Sequence, residues 1–203
     1  MNFYFVLNGC LFFLILFGVF EHLLKFYNIN KWFACLFVFL SCVFNMLQSF
    51  QIFGIMINLN FVLYTFTFFV YLFKLKGFKN YFKMIFVSLI IVAVLMCYSA
   101  FDFADFEYSF VGIYVYVAII TGFVLSFILP NLKTTFCGTM LGGVIYDLIY
   151  WKFFNGLDSE MFTLLQISTL TFVFVTICSY CMSNYFVCLS KTYRNKKKQE
   201  TAN

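Results

Sequence analysis

Charge is scarce in this sequence. One residue in ten is charged, against about a quarter in an ordinary soluble domain, and 64% of the chain is hydrophobic. That leaves too little polar surface to cover a water-soluble globule of 203 residues, so composition assigns the chain to a lipid bilayer. Arginine occurs once, at Arg194, which excludes an arginine-rich voltage-sensing helix. Histidine also occurs once, at His22, which excludes a multi-histidine metal site. It also leaves a serine–histidine triad with no nucleophile motif beside its base. There is no phosphate-cradling glycine loop, no H-E-x-x-H and no G-x-S-x-G. No inverted repeat of the kind many transporters carry is visible.

What remains is apolar helix separated by short polar margins. At about 20 residues per crossing the length allows six to eight spans and no separate soluble domain. The expected fold is all-α, a polytopic bundle of about seven spans at 3–24, 32–47, 52–73, 84–101, 110–129, 134–151 and 161–190. The basic tail 191–203 is expected to be disordered. Span one is read as a retained helix, because no Lys or Arg precedes it and no small-residue cleavage site follows. The uncharged turn 48–51 and the polar start of span three, with Gly54, Asn58 and Asn60, leave a re-entrant or broken segment open there. The last apolar run is long for one crossing and implies tilt or extension beyond the bilayer.

The charges orient the scheme. With the N-terminus outside and the C-terminus inside, twelve of the thirteen Lys and Arg fall inside and only Lys152 outside. That is the bias expected of cytoplasmic loops. Five of the eight acids (Asp102, Asp105, Glu107, Asp158 and Glu160) fall outside. Trp32 and Trp151 then mark opposite interfaces. The net charge of +5 is therefore a topology signal, and no nucleic-acid partner is expected. The eight cysteines lie within apolar runs or at their ends, where they act as small hydrophobes, and no disulfide framework follows.

Chemistry concentrates in TTFCGTMLGGVIYDLIYW, residues 134–151. A carboxylate on a spanning helix is costly at mid-bilayer and faces protein or water, which singles out Asp147. One reading makes it an ion, proton or substrate contact in the outer half, with Asn58, Asn60 and Asn8. The other makes it an interfacial acid that reaches headgroup water or bonds a neighbouring Tyr or Asn, and its shallow depth favours this second reading. Gly138 and Gly142, with Gly143 beside them, form a small-xxx-small face for close helix packing. Its partner is a helix of this chain, another membrane protein or a second copy. Glu21 and Lys25 have the i, i+4 spacing of a surface pair. Cys178 and Cys181 match C-x-x-C by spacing but lack the second pair or fold context that zinc or redox chemistry needs. The acidic loop DFADFEYS, residues 102–109, lacks the glycine turn and terminal glutamate of a calcium loop.

The segment GTMLGGVIYDLIYW, together with FGIMINLNFVLY upstream, resembles the YphA-like small polytopic membrane proteins of spore-forming, low-GC bacteria. The resemblance implies a membrane-protein class and no activity, cofactor or site. The expected function is thus non-catalytic, an accessory or assembly role in a bacterial cytoplasmic membrane, with a small transporter or substrate-binding subunit as the alternative. No catalytic, metal or cofactor residue is expected. The bilayer itself is the first expected partner.

Overall fold

The computed structural model describes residues 3–47, 50–52, 55–102, 113–129, 131–154, 162–164 and 167–200. The fold is helical, apart from one small sheet. In chain order the helices are α1 (Phe3–Leu16), α2 (Glu21–Phe26), α3 (Lys31–Met46), α4 (Leu59–Lys74), α5 (Phe78–Asp102), α6 (Ile113–Ile128), α7 (Leu132–Phe154) and α8 (Ile167–Glu200). Strands β1 (Phe50–Ile52) and β2 (Ile55–Ile57) pair antiparallel, and β2 pairs parallel with β3 (Phe162–Leu164). The acidic loop beyond Asp102, Pro130 and most of the loop 152–160 lie outside the described residues.

The expected span 3–24 is not one helix. α1 stops after 14 residues, about 21 Å of rise, in a Schellman turn. The Val19 amide donates to the Leu14 carbonyl at 3.0 Å and the Gly18 amide to Ile15 at 3.0 Å, with Gly18 left-handed at φ +81°. α2 ends the same way. Ile29 donates to Leu24 at 2.9 Å and Asn28 to Lys25 at 3.1 Å, with Asn28 at φ 54°. Leu24 is buried, and Ile29 packs against the same cluster, supplying the apolar contact this cap favours. Segment 17–30 is therefore a capped elbow that continues neither α1 nor α3.

Span three also begins late. The β-branched Ile52, Ile55 and Ile57 suit a strand, and residues 50–52 and 55–57 pair antiparallel where a helix start or a broken segment was expected. α4 then starts at Leu59 because Asn58 caps it: its side-chain oxygen accepts the Asn60 amide at 2.9 Å. Asn30 starts α3 in the same way, accepting from Trp32 at 2.9 Å. The tail is a second correction. Residues expected to be disordered continue α8 as far as Glu200, since Lys, Arg and Gln are good helix formers once a helix is nucleated.

Helix lengths are uneven. Phe78–Ser99 and Ser168–Ser190 are long and apolar enough to cross a bilayer by length and composition. Phe5–Leu16, Lys31–Phe44, Leu59–Lys74 and Tyr114–Ile128 are apolar but shorter. α7 is long, yet it carries Lys133, Asp147 and Lys152.

Small residues set the closest packing. A Cβ on Gly138 would stand 2.6 Å from Val87 Cβ, and one on Gly142 would stand 2.7 Å from Ile91 Cβ, so α7 lies nearly backbone-to-side-chain against α5. Gly122 does the same for α6 against α8, where a Cβ would run into the Thr176 carbonyl oxygen. α4 docks on α7 through aromatics: the Tyr64 and Phe136 rings stack at 6.3 Å, and Tyr71 meets Phe136 edge-on at 5.2 Å. One end of the bundle holds the sheet. At the other, the Tyr180 hydroxyl donates to the Leu129 carbonyl at 2.7 Å. There Tyr27 also donates to Cys181 O at 3.2 Å and accepts from Asn184 Nδ2 at 3.1 Å.

Candidate functional site

Asp147 stands on α7 one turn before Trp151 and is only 3% exposed. The hydroxyl of Thr169, itself 2% exposed, donates to its Oδ1 at 2.7 Å. This bond joins α7 to the first turn of α8. The neighbouring residue, Tyr146, reaches α5, where its hydroxyl lies 2.6 Å from Ser99 Oγ. Ser99 sends its own proton to the Leu95 carbonyl at 2.8 Å, so the Tyr146 hydroxyl is the donor in that pair. Residues 146 and 147 thus tie α7 to two different helices at one level. The carboxyl faces protein, which corrects the alternative in which Asp147 reaches headgroup water.

The asparagines singled out with Asp147 are also buried: Asn8 and Asn60 at 0% and Asn58 at 7% exposure. Their roles differ. Asn58 is engaged as the cap of α4. Asn60 lies one turn before Tyr64 on the buried face of α4, and neither Nδ2 nor Oδ1 of its amide meets a protein hydrogen-bond partner. A buried polar group without a partner is rare and costs about 1–3 kcal/mol. Asn8 is on α1, two residues before Cys10. No hydrogen bond joins Asp147 directly to Asn58 or Asn60 among the bonds described.

The glycine face has a partner within the chain. Gly138 and Gly142 are covered by Met84, Val87, Ser88 and Ile91 of α5, and Gly143 is buried. Of the partners left open for that face, a helix of this chain, α5, is the one that occupies it. Cys178 and Cys181 are both partly buried on α8 and form no disulfide. Among the described residues no three His, Cys, Asp or Glu side chains gather as a metal site. At the elbow, Lys25 Nζ and Glu21 Oε1 pair at 2.6 Å with both side chains well exposed. The Lys25 ammonium holds the Glu21 carboxyl below its usual value through the hydrogen bond and charge it supplies.

Two residues that composition did not single out complete the arrangement. Thr169 is a threonine in a threonine-rich apolar run, and nothing local marks it as the partner of an acid 22 residues earlier. Gly122 is missed although Ala118 four residues before it and Ser126 four after give it the small-xxx-small spacing that flags a packing face. Compared with protein-family models, curated proteins and solved structures, the chain finds no match.

Proposed function

We propose that this chain is a multi-pass integral membrane protein of a bacterial cytoplasmic membrane, with a non-catalytic accessory or assembly role. The observation that carries this reading is the environment of Asp147. The acid near the outer end of a predicted span is 3% exposed and bonded by Thr169 across a helix interface. Among the described residues, two apolar crevices lie toward the other end of the bundle, and Asp147 lines neither. A transport site would present its carboxyl to a wet path; this one is bonded to α8, while its neighbour Tyr146 reaches α5.

The membrane reading is supported by the exterior. Phe17, Phe73 and Phe78 expose 77%, 82% and 84% of their surface, among many other exposed Phe, Leu and Ile side chains, far beyond what a soluble monomer shows to water. Seven crossings, with the N-terminus outside, are supported by parity. The hairpin before α4 and the strand before α8 pair at one end, which requires an even number of passes between them. Tyr27, Leu129 and Asn184 meet at the other end, where the positive-inside bias predicts the cytoplasm. α1 is the first crossing, and the charged α2 lies beyond it at the inner margin.

The alternative, a small transporter, is favoured by one observation: the unpartnered amide of Asn60 at the polar end of α4. Reconstitution separates the two. Asparagine at 147 keeps an acceptor oxygen for Thr169, so Asp147→Asn should leave the fold intact and cost at most about 1 kcal/mol. The accessory reading expects wild type and variant to show the same background proton and ion flux in proteoliposomes. It also expects a stoichiometric partner to co-purify from native membranes. Specific flux in the wild type that Asp147→Asn abolishes would establish the transporter instead.

A further inference from the structure

Asn60 stands in the first turn of α4 with none of its surface exposed, on the face that continues through Tyr64 and Thr67. Neither Oδ1 nor Nδ2 of its side chain has a hydrogen-bond partner in the protein. Exchanging the two ends of the amide would not help, because both are unmet. Asn80, in the first turn of α5, solves the same problem by donating to Lys76 O, four residues back, at 2.7 Å. The residue four before Asn60 is Met56, in the middle of β2. That strand is paired on both sides, so its backbone is committed to the sheet and offers Asn60 no such acceptor.

A buried amide in that position takes its partner from a bound species. Asn60 presents two N–H donors and an acceptor oxygen, and this narrows the choice. A cation would satisfy Oδ1 and leave the donors unmet, an anion would do the reverse, and an acyl chain would satisfy neither. Water donates and accepts at once, and it is the smallest species that does so, which suits a residue without exposed surface. From this geometry we infer that Asn60 holds an internal water at the sheet end of the bundle, bonded to both ends of its amide. β2 leads into α4 and β3 into α8, and the two strands pair with Ile57 opposite Leu164. Asn60 therefore starts its helix at the same end of the bundle as Thr169, the donor to Asp147. The water gives the amide a structural use at that end, and one that needs no substrate.

Water-edited solid-state NMR of the full chain in lipid bilayers, isotope-labelled at asparagine, tests this site. Asn28, exposed at the elbow, is the wet reference. Asn184, 4% exposed and with its Nδ2 bonded to Tyr27, is the dry one. The Asn60 amide should gain intensity from water well before Asn184 does, although it is the more deeply buried of the two. Asn60→Ala assigns the signal by its loss. Where that variant does not fold, correlation of the side chain with the Asn60 backbone amide assigns it in the wild type. A build-up at Asn60 no faster than at Asn184 overturns the water site. So does an Asn60 signal that shifts when sodium is exchanged for a bulky organic cation, which would put an ion there instead. Neither result touches the accessory reading, which proteoliposome flux and partner co-purification decide separately.

Discussion

Replacing Gly138 by alanine adds one methyl group where the α5–α7 interface has no space. The new Cβ would stand 2.6 Å from Val87 Cβ and 2.8 Å from the Met84 carbonyl oxygen, against at least 3.4 Å for ordinary contact. The shortfall of about 0.8 Å cannot be relieved by a rotamer change, because one neighbour is backbone and the other a β-branched Cβ. The helices must separate, and overpacking of this kind costs about 1–3 kcal/mol. Alanine recovers up to about 1 kcal/mol in helix propensity, so Gly138→Ala should destabilise the bundle by roughly 0–2 kcal/mol. Gly142→Ala meets Ile91 Cβ at 2.7 Å and Ser88 O at 2.8 Å and should cost the same. The double variant should cost less than the sum, since one separation relieves both clashes. Denaturant unfolding followed by helical circular dichroism in micelles measures this. Gly9→Ala is the internal control: nothing lies within 4 Å of its added Cβ, so it should be neutral or stabilising. Equal behaviour of Gly138→Ala and Gly9→Ala would refute the packing assignment.

Three further outcomes follow from named contacts. Thr169→Val removes the donor to Asp147 Oδ1 and should cost about 1–3 kcal/mol, while Thr169→Ser restores most of it; equal unfolding of the two variants would dismiss the bond. Gly18→Ala puts a Cβ on a residue at φ +81° and should cost about 1–2 kcal/mol, or straighten α1 into α2, which amide exchange at residues 17–20 would report. Glu21 is held below its ordinary carboxylate value by Lys25, so its ion pair supports α2 above the unfolded-state value. That support should fade as pH falls through the lowered folded value. A side-chain titration of Glu21 should shift upward in Lys25→Gln, and an unmoved titration would show that the pair is not formed.

The sequence made some layers of this fold legible and hid others. Apolar runs located α3, α6 and α7 to within a few residues because their margins are marked by Lys, Trp or polar turns, whereas α5 begins at Phe78, inside the basic run 74–83 expected to be a linker. The Gly138–Gly142 face was visible as a spacing, yet only the three-dimensional fold identified α5 as its partner. The break at Gly18 was not legible, since a glycine flanked by phenylalanine and valine inside a greasy run is ordinary in membrane helices. The strands at 50–57 were hidden for a similar reason: Ile, Met and Phe satisfy a hydropathy window whichever backbone they adopt. Asp147 stood out as the acid inside a span, but its burial depends on Thr169, and a contact between two helices joined by a loop leaves no local trace. Asn58 was flagged for polarity when its geometry is that of a helix cap, a role for which asparagine before an apolar run is itself the signal.

The topology is tested most directly by reporter fusions placed in turn after residue 78, after residue 131 and at the C-terminus of the full chain, read for cytoplasmic or external location. Seven crossings with an external N-terminus predict that all three reporters lie on the cytoplasmic side, together with the basic end of α8. A reporter at the C-terminus found outside the membrane would contradict the seven-crossing bundle. It would also remove the shared inner margin on which the Tyr27, Leu129 and Asn184 contacts are read.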